Sequence, residues 1–397
     1  MKIAYKSSQI VLENVVFSGY MIVEDGIIKD FVRDNPDSKV VDCGMDRIIP
    51  GIFDTHNHGT LGYSLMASKD PSKNNFNILG YLKGLASQGV TSILPTADIS
   101  LFSDIADLSK THAGQQIRGI HSEGPWLNRV GEKGIKTGYP EVSLDHAKKM
   151  VKLAKGQLRL VALAPEIPGI DQIRDYFLSQ GITIAYAHSD HNFKEATQAF
   201  DSGISVSTHT GNVMTGLHHR DIGGLGAALS HPNVECEVIC DGKHISLEMI
   251  RLYFQMKAPQ RFMMISDCSA LSGAPLGRYR LFKDMNVTIT PDGFCLSDTG
   301  RLMGSTMPVI YGIGNLVEVL KVPITTVCQM ASLNPSRKYG IADHKGSLSR
   351  EKDADFIIIS DDYKVKLTYL KGEVIYDASL KENLFNPNFF VEANPND

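Results

Sequence analysis

The sequence predicts an α/β protein in which a (β/α)8 barrel carries a small β-sandwich domain built from both ends of the chain. Three observations lead to this prediction: a length of 397 residues, β-rich segments at both termini, and a regular alternation of short apolar runs with helix-length segments between them. A doubly wound sheet would show the same alternation. The count of eight runs, each ending in polar residues, favours the barrel.

Composition excludes several classes of protein. Hydrophobic residues make up 43% of the chain and charged residues 21%, which is ordinary for a globular enzyme. The net charge of −4 leaves no basic footprint for nucleic acid. No apolar run approaches the roughly 18 residues that span a bilayer, and residues 1–6 lack an apolar signal segment. The six cysteines form no Cys-x-x-Cys pair, which indicates reduced thiols in a cytoplasmic protein.

The two ends of the chain share a sequence pattern that is typical of short β-strands. Near the N-terminus we expect strands at 10–17, 20–23 and 27–32, with a turn at Asp25-Gly26. Near the C-terminus we expect strands at 354–360, 365–369 and 373–376, with a turn at Lys371-Gly372. We therefore assign residues 1–50 and 346–397 to one small β-sandwich domain and residues 51–345 to the barrel.

Eight apolar runs in the middle of the chain are predicted to be the barrel strands. They are 51–56, 89–95, 117–122, 159–165, 182–188, 204–209, 234–240 and 262–266. Residues 278–307 interrupt the rhythm with β-like stretches and a Pro291-Asp292-Gly293 turn. We interpret this segment as an excursion after the eighth strand that returns at 302–305.

Histidines and carboxylates gather at the C-terminal ends of these predicted strands. They are His56 and His58 after the first strand, Glu123 after the third, His188 after the fifth, His209 after the sixth, Asp241 and His244 after the seventh, and Asp267 after the eighth. In a barrel those ends converge on one mouth, where catalytic residues lie. A His-x-His pair on an extended segment also directs both rings to the same side.

This constellation predicts a site for one or two divalent metal ions. Imidazole and carboxylate ligands suit Zn, Fe or Ni, and the absence of thiolates argues against a structural zinc site. A lone Asp267 would be as easily a helix cap, but the consistent order of all these residues at strand ends favours a shared site. A metal at a barrel mouth promotes hydrolysis. Asp267 would then transfer a proton from water to a leaving amine, and His244 would polarise the scissile carbonyl.

Several longer motifs carry a family resemblance. They are residues 50–59 (Pro-Gly-Ile-Phe-Asp-Thr-His-Asn-His-Gly), 119–127 with Glu123-Gly124-Pro125-Trp126, 163–166, 187–190, Thr208-His209 with Asn212, 217–221 (Leu-His-His-Arg-Asp), 239–244, 265–267 and Gly304-Ser305. On these motifs the chain resembles the N-acetylglucosamine-6-phosphate deacetylases of the amidohydrolase superfamily. The resemblance covers nearly the whole chain in order.

The resemblance implies a role for each matching residue. Glu123, His188 and His209 would bind the principal metal, while His56 and His58 would hold a second one with Glu123 as the bridge. Asp267 would be the acid and base, and His244 would contact the sugar or the acetamide. The remaining matches would contact the substrate. Asn212 and the backbone amide of Val213 would contact the phosphate, as would His219 and Arg220, which would come from the second subunit of a homodimer. Gly304 and Ser305 would contact the acetyl group. Charge-assisted pairing with phosphate suits Arg220.

Departures from the family pattern leave the sugar open. Thr210-Gly211 stand where the family has Leu and an aromatic residue, Val213 replaces a common Ala, and Lys136 replaces a His or Gln that would contact sugar or phosphate. The first expectation is deacetylation of N-acetylglucosamine 6-phosphate. The alternative is the same reaction on N-acetylgalactosamine 6-phosphate or another N-acylated sugar phosphate.

Two more distant functions are disfavoured. Cyclic-amide hydrolases of the superfamily generally have a carboxylated Lys at the end of the fourth strand, whereas this strand ends in Ala164-Pro165-Glu166. A regulator that only binds a sugar phosphate would be expected to have lost metal ligands or Asp267, and none is lost.

Overall fold

The computed structural model describes residues 2–66, 77–130, 135–136, 138–282, 285–386 and 388–389. In chain order the strands are β1 (Lys2–Val11), β2 (Val16–Glu24), β3 (Ile27–Val32), β4 (Lys39–Asp42), β5 (Arg47–Pro50), β6 (Ile52–Asn57), β7 (Gly59–Thr60), β8 (Tyr63–Ser64), β9 (Val90–Pro95), β10 (Ile120–Glu123), β11 (Arg129–Val130), β12 (Ile135–Lys136), β13 (Leu158–Leu163), β14 (Thr183–Tyr186), β15 (Val206–Ser207), β16 (Glu235–Ile239), β17 (Phe262–Ile265), β18 (Gly277–Phe282), β19 (Met285–Ile289), β20 (Cys295–Ser297), β21 (Phe356–Ile359), β22 (Val365–Leu370) and β23 (Glu373–Asp377).

The helices lie mostly between the strands of the central region. They are α1 (Ile78–Ser87), α2 (Phe102–Leu108), α3 (Leu144–Ala154), α4 (Ile170–Ser179), α5 (Phe193–Asp201), α6 (Gly223–Ser230), α7 (Leu247–Met256), α8 (Val309–Gly314), α9 (Ile324–Cys328) and α10 (Asn334–Lys338). Asn315–Val319 and Gln329–Leu333 are π-helical and directly follow α8 and α9. None of the helices in the described ranges is long and apolar enough to cross a membrane.

Both ends of the chain contribute to one eight-stranded sheet. Its order is β23-β22-β21-β5-β1-β2-β3, and β4 pairs with β1 beside this path. The predicted turns are present, with φ of 50° and 79° at Asp25 and Gly26 and 49° and 73° at Lys371 and Gly372. Positive φ at both central residues is what a type I′ hairpin turn requires.

The expectation of one strand over 10–17 is wrong. β1 ends at Val11 and β2 begins at Val16, and the backbone amide of Leu12 donates to the carbonyl of Val15 at 2.9 Å. A turn therefore occupies Glu13-Asn14. Apolar, β-favouring residues continue on both sides of that turn, so the hydrophobic pattern alone does not reveal it.

The central region contains a parallel strand at each of the eight predicted positions. Six form one parallel sheet in the order β10-β13-β14-β15-β16-β17, and β6 pairs with β9 in parallel. Isolated parallel bridges join Ile93 to Ile117, Thr96 to His121 and Asn57 to Cys268. The result is a mixed α/β fold whose parallel strands follow one another in sequence order.

Apolar side chains from these strands fill the space between them. One buried cluster contains Phe53, Leu94, Leu160, Ala162, Ala185, Ala187, Val206 and Met263. A larger cluster packs the helices against the opposite face of the strands. Burial on both faces explains why these strands appear in the sequence as continuous apolar runs rather than as alternating ones.

The excursion after the eighth strand forms an antiparallel sheet, β18-β19-β20. The chain then returns through two bridges, Leu296 to Leu302 and Cys268 to Ser305. The second bridge brings Ser305 beside the residue that follows Asp267. All six cysteines are unpaired, and only Cys43 is not fully buried.

Candidate active site

Strand β6 carries two histidines to the C-terminal edge of the parallel strands. The Nε2 atoms of His56 and His58 lie 3.2 Å apart. Each lies 3.3 Å from Oδ1 of Asp267, and His58 Nε2 lies 3.3 Å from Oε2 of Glu123. The two rings therefore direct the same nitrogen toward a common point, as the His-x-His spacing predicts.

A second group forms around the other carboxylate oxygen of Glu123. Its Oε1 lies 3.0 Å from Nε2 of His188 and 3.1 Å from Nε2 of His209. The two histidine nitrogens lie 3.1 Å apart. Glu123 thus lies between the two pairs of histidines: Oε2 faces His58, whereas Oε1 faces the second pair and lies 3.8 Å from Nε2 of His56.

Backbone conformation places three of these residues. His188, His209 and Asp267 have positive φ of 52°, 27° and 48°, and each lies two residues beyond the end of its strand, β14, β15 or β17. Residues other than glycine rarely adopt this conformation, and it concentrates at functional sites. Here it follows the strand ends that bring the three side chains together.

Hydrogen bonds between β6 and β17 hold Asp267 opposite the histidines. The backbone amide of Asp267 donates to the carbonyl of His56 at 2.9 Å. One residue earlier, the amide and hydroxyl of Ser266 both donate to the buried carboxylate of Asp54. Burial raises the pKa of Asp54 to about 6, against the opposing effect of these hydrogen bonds.

The charges of the cluster are strongly coupled. Burial by itself lowers the pKa of the histidines, but the carboxylates of Asp267 and Glu123 outweigh it, raising the pKa of His58 to about 9 and that of His56 well above its usual value. Burial by itself raises the pKa of Glu123, but hydrogen bonds from His188 and His209 hold it well below the usual range. In the metal-free site, His56 and His58 are therefore protonated beside the ionised carboxylate of Glu123.

The residues fit divalent cations. The ligand atoms of His56, His58 and Glu123 lie within 4.8 Å of one another, as do those of Glu123, His188 and His209. In each pair the two histidine Nε2 atoms lie 3.2 Å or 3.1 Å apart, beside an oxygen of Glu123. This is the arrangement expected of ligands around one shared cation. Neutral imidazoles and carboxylates are ligands that Zn and Fe accept, and the protons now on the histidines would leave as a cation binds.

His244 follows β16 and belongs to a network of hydrogen bonds. Its Nδ1 donates to Oδ2 of Asp241 at 2.7 Å. Burial by itself raises the pKa of Asp241, but this hydrogen bond outweighs it and the pKa is lowered. The same Oδ2 accepts from the hydroxyl of Ser305 at 3.2 Å. The amide of Ser305 in turn donates to the carbonyl of Asp267 at 3.1 Å, so Asp267, Ser305 and His244 are linked.

The loop after His209 carries the predicted phosphate contacts. The amide of Asn212 donates to the carbonyl of His209 at 2.8 Å, and Val213 has φ of 51°. Asn212 and Val213 are both half-buried. Thr210 is fully buried, and its amide and hydroxyl donate to the carbonyls of Glu237 and Ser207. Both polar groups of Thr210 are therefore satisfied by backbone carbonyls of the protein.

Gly211 is explained by a neighbour from α7. A Cβ at this position would lie 2.1 Å from the hydroxyl oxygen of Tyr253, and φ is +100°. Tyr253 is buried, and its hydroxyl together with the positive φ leaves no room for a side chain at Gly211.

The remaining predicted site residues lie on three other segments. His219 and Arg220 are exposed on the segment before α6. Gly304 has φ of +69°, and a Cβ there would lie 3.6 Å from the carbonyl oxygen of Asp267. Lys136 lies on β12, but its side chain and most of the 131–137 loop lie outside the described part of the structure.

Two buried residues next to the cluster were missed by the sequence reasoning. Glu237 on β16 is fully buried, with Oε2 3.7 Å from Nδ1 of His56. His121 on β10 packs its ring 4.5 Å from that of His56, and its Nδ1 lies 2.9 Å from the hydroxyl of Thr96. Each residue had a signal in the sequence. Glu237 is an acidic residue inside the apolar run 234–240, and His121 is a histidine two positions before Glu123.

Comparison with known proteins shows the family to which the chain belongs. The sequence model of the amidohydrolase family matches residues 47–375. The N-acetylglucosamine-6-phosphate deacetylase of Vibrio furnissii is 31% identical over 352 residues, which cover 85% of this chain and 85% of that protein. The N-acetylgalactosamine-6-phosphate deacetylase of Escherichia coli O157:H7 is 30% identical over 345 residues, covering 84% of this chain and 89% of that protein.

The fold is also similar to that of a solved structure. A mutant N-acetyl-D-glucosamine-6-phosphate deacetylase from Mycobacterium smegmatis, in complex with N-acetyl-D-glucosamine-6-phosphate, superposes with a TM-score of 0.80 at 23% identity. The match covers 94% of this chain and 99% of that one. At this identity the structural likeness shows the fold. Together with the sequence matches, it means that the chain belongs to the amidohydrolase family and, within it, to the N-acetylglucosamine-6-phosphate deacetylases.

Proposed function

We propose that this protein hydrolyses the acetamide of N-acetylglucosamine 6-phosphate to glucosamine 6-phosphate and acetate. The observation that carries the proposal is the meeting of four histidine Nε2 atoms with Glu123 and Asp267 at one edge of the parallel strands. The relative from Vibrio furnissii bears the name of this activity. Both points support a hydrolase that acts on a linear amide.

In this proposal His56, His58 and Glu123 hold one divalent cation, and Glu123, His188 and His209 hold another. When bound, such cations supply Lewis acidity, which polarises an amide carbonyl and acidifies water. The choice of metal stays open, because Zn and Fe both accept these ligands. Burial of the cluster strengthens its electrostatic effect on a substrate.

The protein's own groups would move the proton. Asp267, ionised in the cluster, accepts a proton from the attacking water and passes it to the amide nitrogen as the C–N bond breaks. His244, oriented through Nδ1 by Asp241, presents its other nitrogen to the carbonyl oxygen. Gly304 and Ser305, next to Asp267, border the acetyl group.

The phosphate contacts follow the same logic. Asn212 and the amide of Val213 lie one turn beyond His209 and would bind phosphate oxygens. His219 and Arg220 are exposed, so they are available to a phosphate at the site or across a homodimer interface. Lys136 would add a further cationic contact. Arginine suits this role because its planar fork pairs with phosphate in a bidentate way.

A second candidate substrate is N-acetylgalactosamine 6-phosphate. The relative from Escherichia coli bears that name at nearly the same identity, and the chain departs from the family pattern at Thr210-Gly211. Since the amide and hydroxyl of Thr210 both donate to backbone carbonyls, Gly211 and the 131–138 loop are the better places to look for a difference in sugar preference.

Acetate release from a panel of sugars tests the proposal. The panel contains N-acetylglucosamine, its 6-phosphate, and the 6-phosphates of N-acetylgalactosamine and N-acetylmannosamine, each with and without a chelator. Chelator-sensitive turnover of the glucosamine phosphate is the expected result. Preference for the galacto epimer supports the second candidate, and no acetate from any compound contradicts both.

Architecture and location complete the proposal. The eight parallel strands would close into one barrel over residues 51–345, supported by the bridge from Asn57 at the end of the first strand to Cys268 after the last. Residues 1–50 and 346–397 would form a separate small β-sandwich domain, supported by a core of their own around Tyr5, Phe356 and Tyr369. Six unpaired cysteines support a cytoplasmic enzyme, and a homodimer is expected from the family.

A further inference from the structure

Glu237 is a buried carboxylate that the reaction scheme does not use. It lies in the middle of β16 with no solvent exposure. Its Oε1 accepts a hydrogen bond from the hydroxyl of Thr55 at 2.6 Å. Within the described ranges its Oε2 has no hydrogen-bond donor. A buried carboxylate oxygen without a donor is costly, so this atom calls for an explanation.

The atom that faces it is also without a partner. Nδ1 of His56 lies 3.7 Å from Glu237 Oε2 and has no hydrogen bond to the described residues. His56 is likewise fully buried, and it is the one basic side chain that the described structure brings within 4 Å of Glu237. A small rotation of either side chain would close the gap to a hydrogen bond.

The two nitrogens of His56 therefore have separate tasks. Nε2 points toward His58, Glu123 and Asp267, where a cation takes up its lone pair. The proton of the neutral ring must then reside on Nδ1. That N–H is directed at the one carboxylate oxygen that lacks a donor.

We propose that Glu237 is a positioning residue that accepts the Nδ1–H of His56 and selectively strengthens the cation position formed by His56, His58 and Glu123. The inference rests on the proposed function, since it requires cations at the site. An ionised acceptor fixes the ring orientation and makes the opposite nitrogen a better ligand. Thr55, next to His56 in sequence, holds the carboxylate in place through its other oxygen.

Among the described residues, no carboxylate faces Nδ1 of either histidine at the second cation position. His188 directs its Nδ1–H at the backbone carbonyl of Arg129, 2.6 Å away, which is a neutral acceptor. Nδ1 of His209 has no hydrogen bond to a described residue. Because charged acceptors bind more strongly than neutral ones, removing the charge of Glu237 should weaken one position and leave the other unchanged.

Metal titration of Glu237→Gln tests the proposal. The amide keeps the size of the side chain and removes its charge. Metal-free wild type and variant are titrated with Co²⁺, and binding is followed by calorimetry and by the visible absorption of the ion. We expect two equivalents in both proteins, with one of them bound about 10- to 100-fold more weakly in the variant.

Glu235→Gln is the matched control. Glu235 lies two residues earlier on β16 and pairs with Arg261 and Lys338, away from the cluster, so its variant should bind both equivalents as the wild type does. If Glu237→Gln does not fold, ¹⁵N-histidine NMR of the Zn²⁺-loaded wild type replaces it. A slowly exchanging, strongly downfield Nδ1–H of His56 supports the proposal, and its absence overturns it.

The outcomes separate this inference from the proposed function. Equal affinities in wild type and Glu237→Gln, or an equal loss at both positions, overturn the role of Glu237 while leaving deacetylation untouched. The opposite outcome is also possible: the wild type binds two equivalents, and Glu237→Gln binds one of them more weakly, but the wild type releases no acetate. That result supports the role of Glu237 and contradicts the proposed reaction.

Discussion

Asp267 Oδ1 lies 3.3 Å from Nε2 of His58, at the edge of the cluster rather than beneath it. The side chain of Asp267 is 17% exposed, whereas His56 is fully buried. This position beside both histidines, with partial exposure, supports the proposed role of Asp267 as acid and base. His56 and His58 also hold the pKa of Asp267 below its usual range, against the effect of burial.

We expect Asp267→Asn to lower kcat about 10²- to 10⁴-fold with metal content near that of the wild type. The amide cannot carry the proton from water to nitrogen, but the four histidines and Glu123 remain in place. Acetate release and elemental analysis of the purified variant measure the two quantities. Asp201→Asn, an exposed aspartate that pairs with His231, is the control and should change neither. Wild-type turnover in Asp267→Asn would remove Asp267 from the acid–base role.

Metal affinity should rise with pH up to about 9. The carboxylates of Glu123 and Asp267, against the effect of burial, raise the pKa of His58 to about 9, so at neutral pH a cation must displace a proton from this ring. Each proton displaced makes the apparent affinity increase by up to about tenfold per pH unit below that pKa. Competition of Zn²⁺ with a chelating dye at pH 6.5, 7.5 and 8.5 measures the slope. Affinity that does not change over this range would contradict the protonated state of the metal-free site.

Much of the site follows from strand periodicity alone. The period of two places His56 and His58 on one side of β6, and the common edge of parallel strands brings Glu123, His188 and His209 to the same place. These rules require no knowledge of side-chain contacts. The convergence of these side chains was therefore predictable for the group, although not for any one histidine by itself.

Other features depend on contacts between residues far apart in sequence. Tyr253 meets Gly211 from α7, and Glu237 meets His56 from the opposite side of the strand set. Periodicity says nothing about either pair, because both depend on how the elements pack. The turn at Glu13-Asn14 was missed for a local reason, since β-favouring residues flank it on both sides. The terminal strands form one hydrogen-bonded sheet, and the sequence pattern of short strands does not define its layers.

We expect Arg220→Ala to raise KM for the phosphorylated substrate by about tenfold or more, the effect of losing one charged hydrogen bond. KM for the unphosphorylated sugar should change little, because that sugar makes no contact with this side chain. Steady-state kinetics on both sugars gives the comparison. Arg251→Ala, an exposed arginine on α7, is the control. An equal rise for both sugars would mean that Arg220 does not contact the phosphate.

Gly211→Ala should lower the free energy of unfolding by about 1–3 kcal/mol, and Tyr253→Phe should relieve part of that loss. The new Cβ would lie 2.1 Å from the tyrosine hydroxyl oxygen but 3.3 Å from the next ring atom, and the remaining loss reflects φ of +100°. Urea unfolding of both single variants and the double variant measures the coupling. Gly216→Ala, in the same loop with no atom within 4 Å of its Cβ, should be nearly neutral. If Gly211→Ala is equally destabilising with Tyr253 and with Phe at position 253, the hydroxyl is not what requires glycine there.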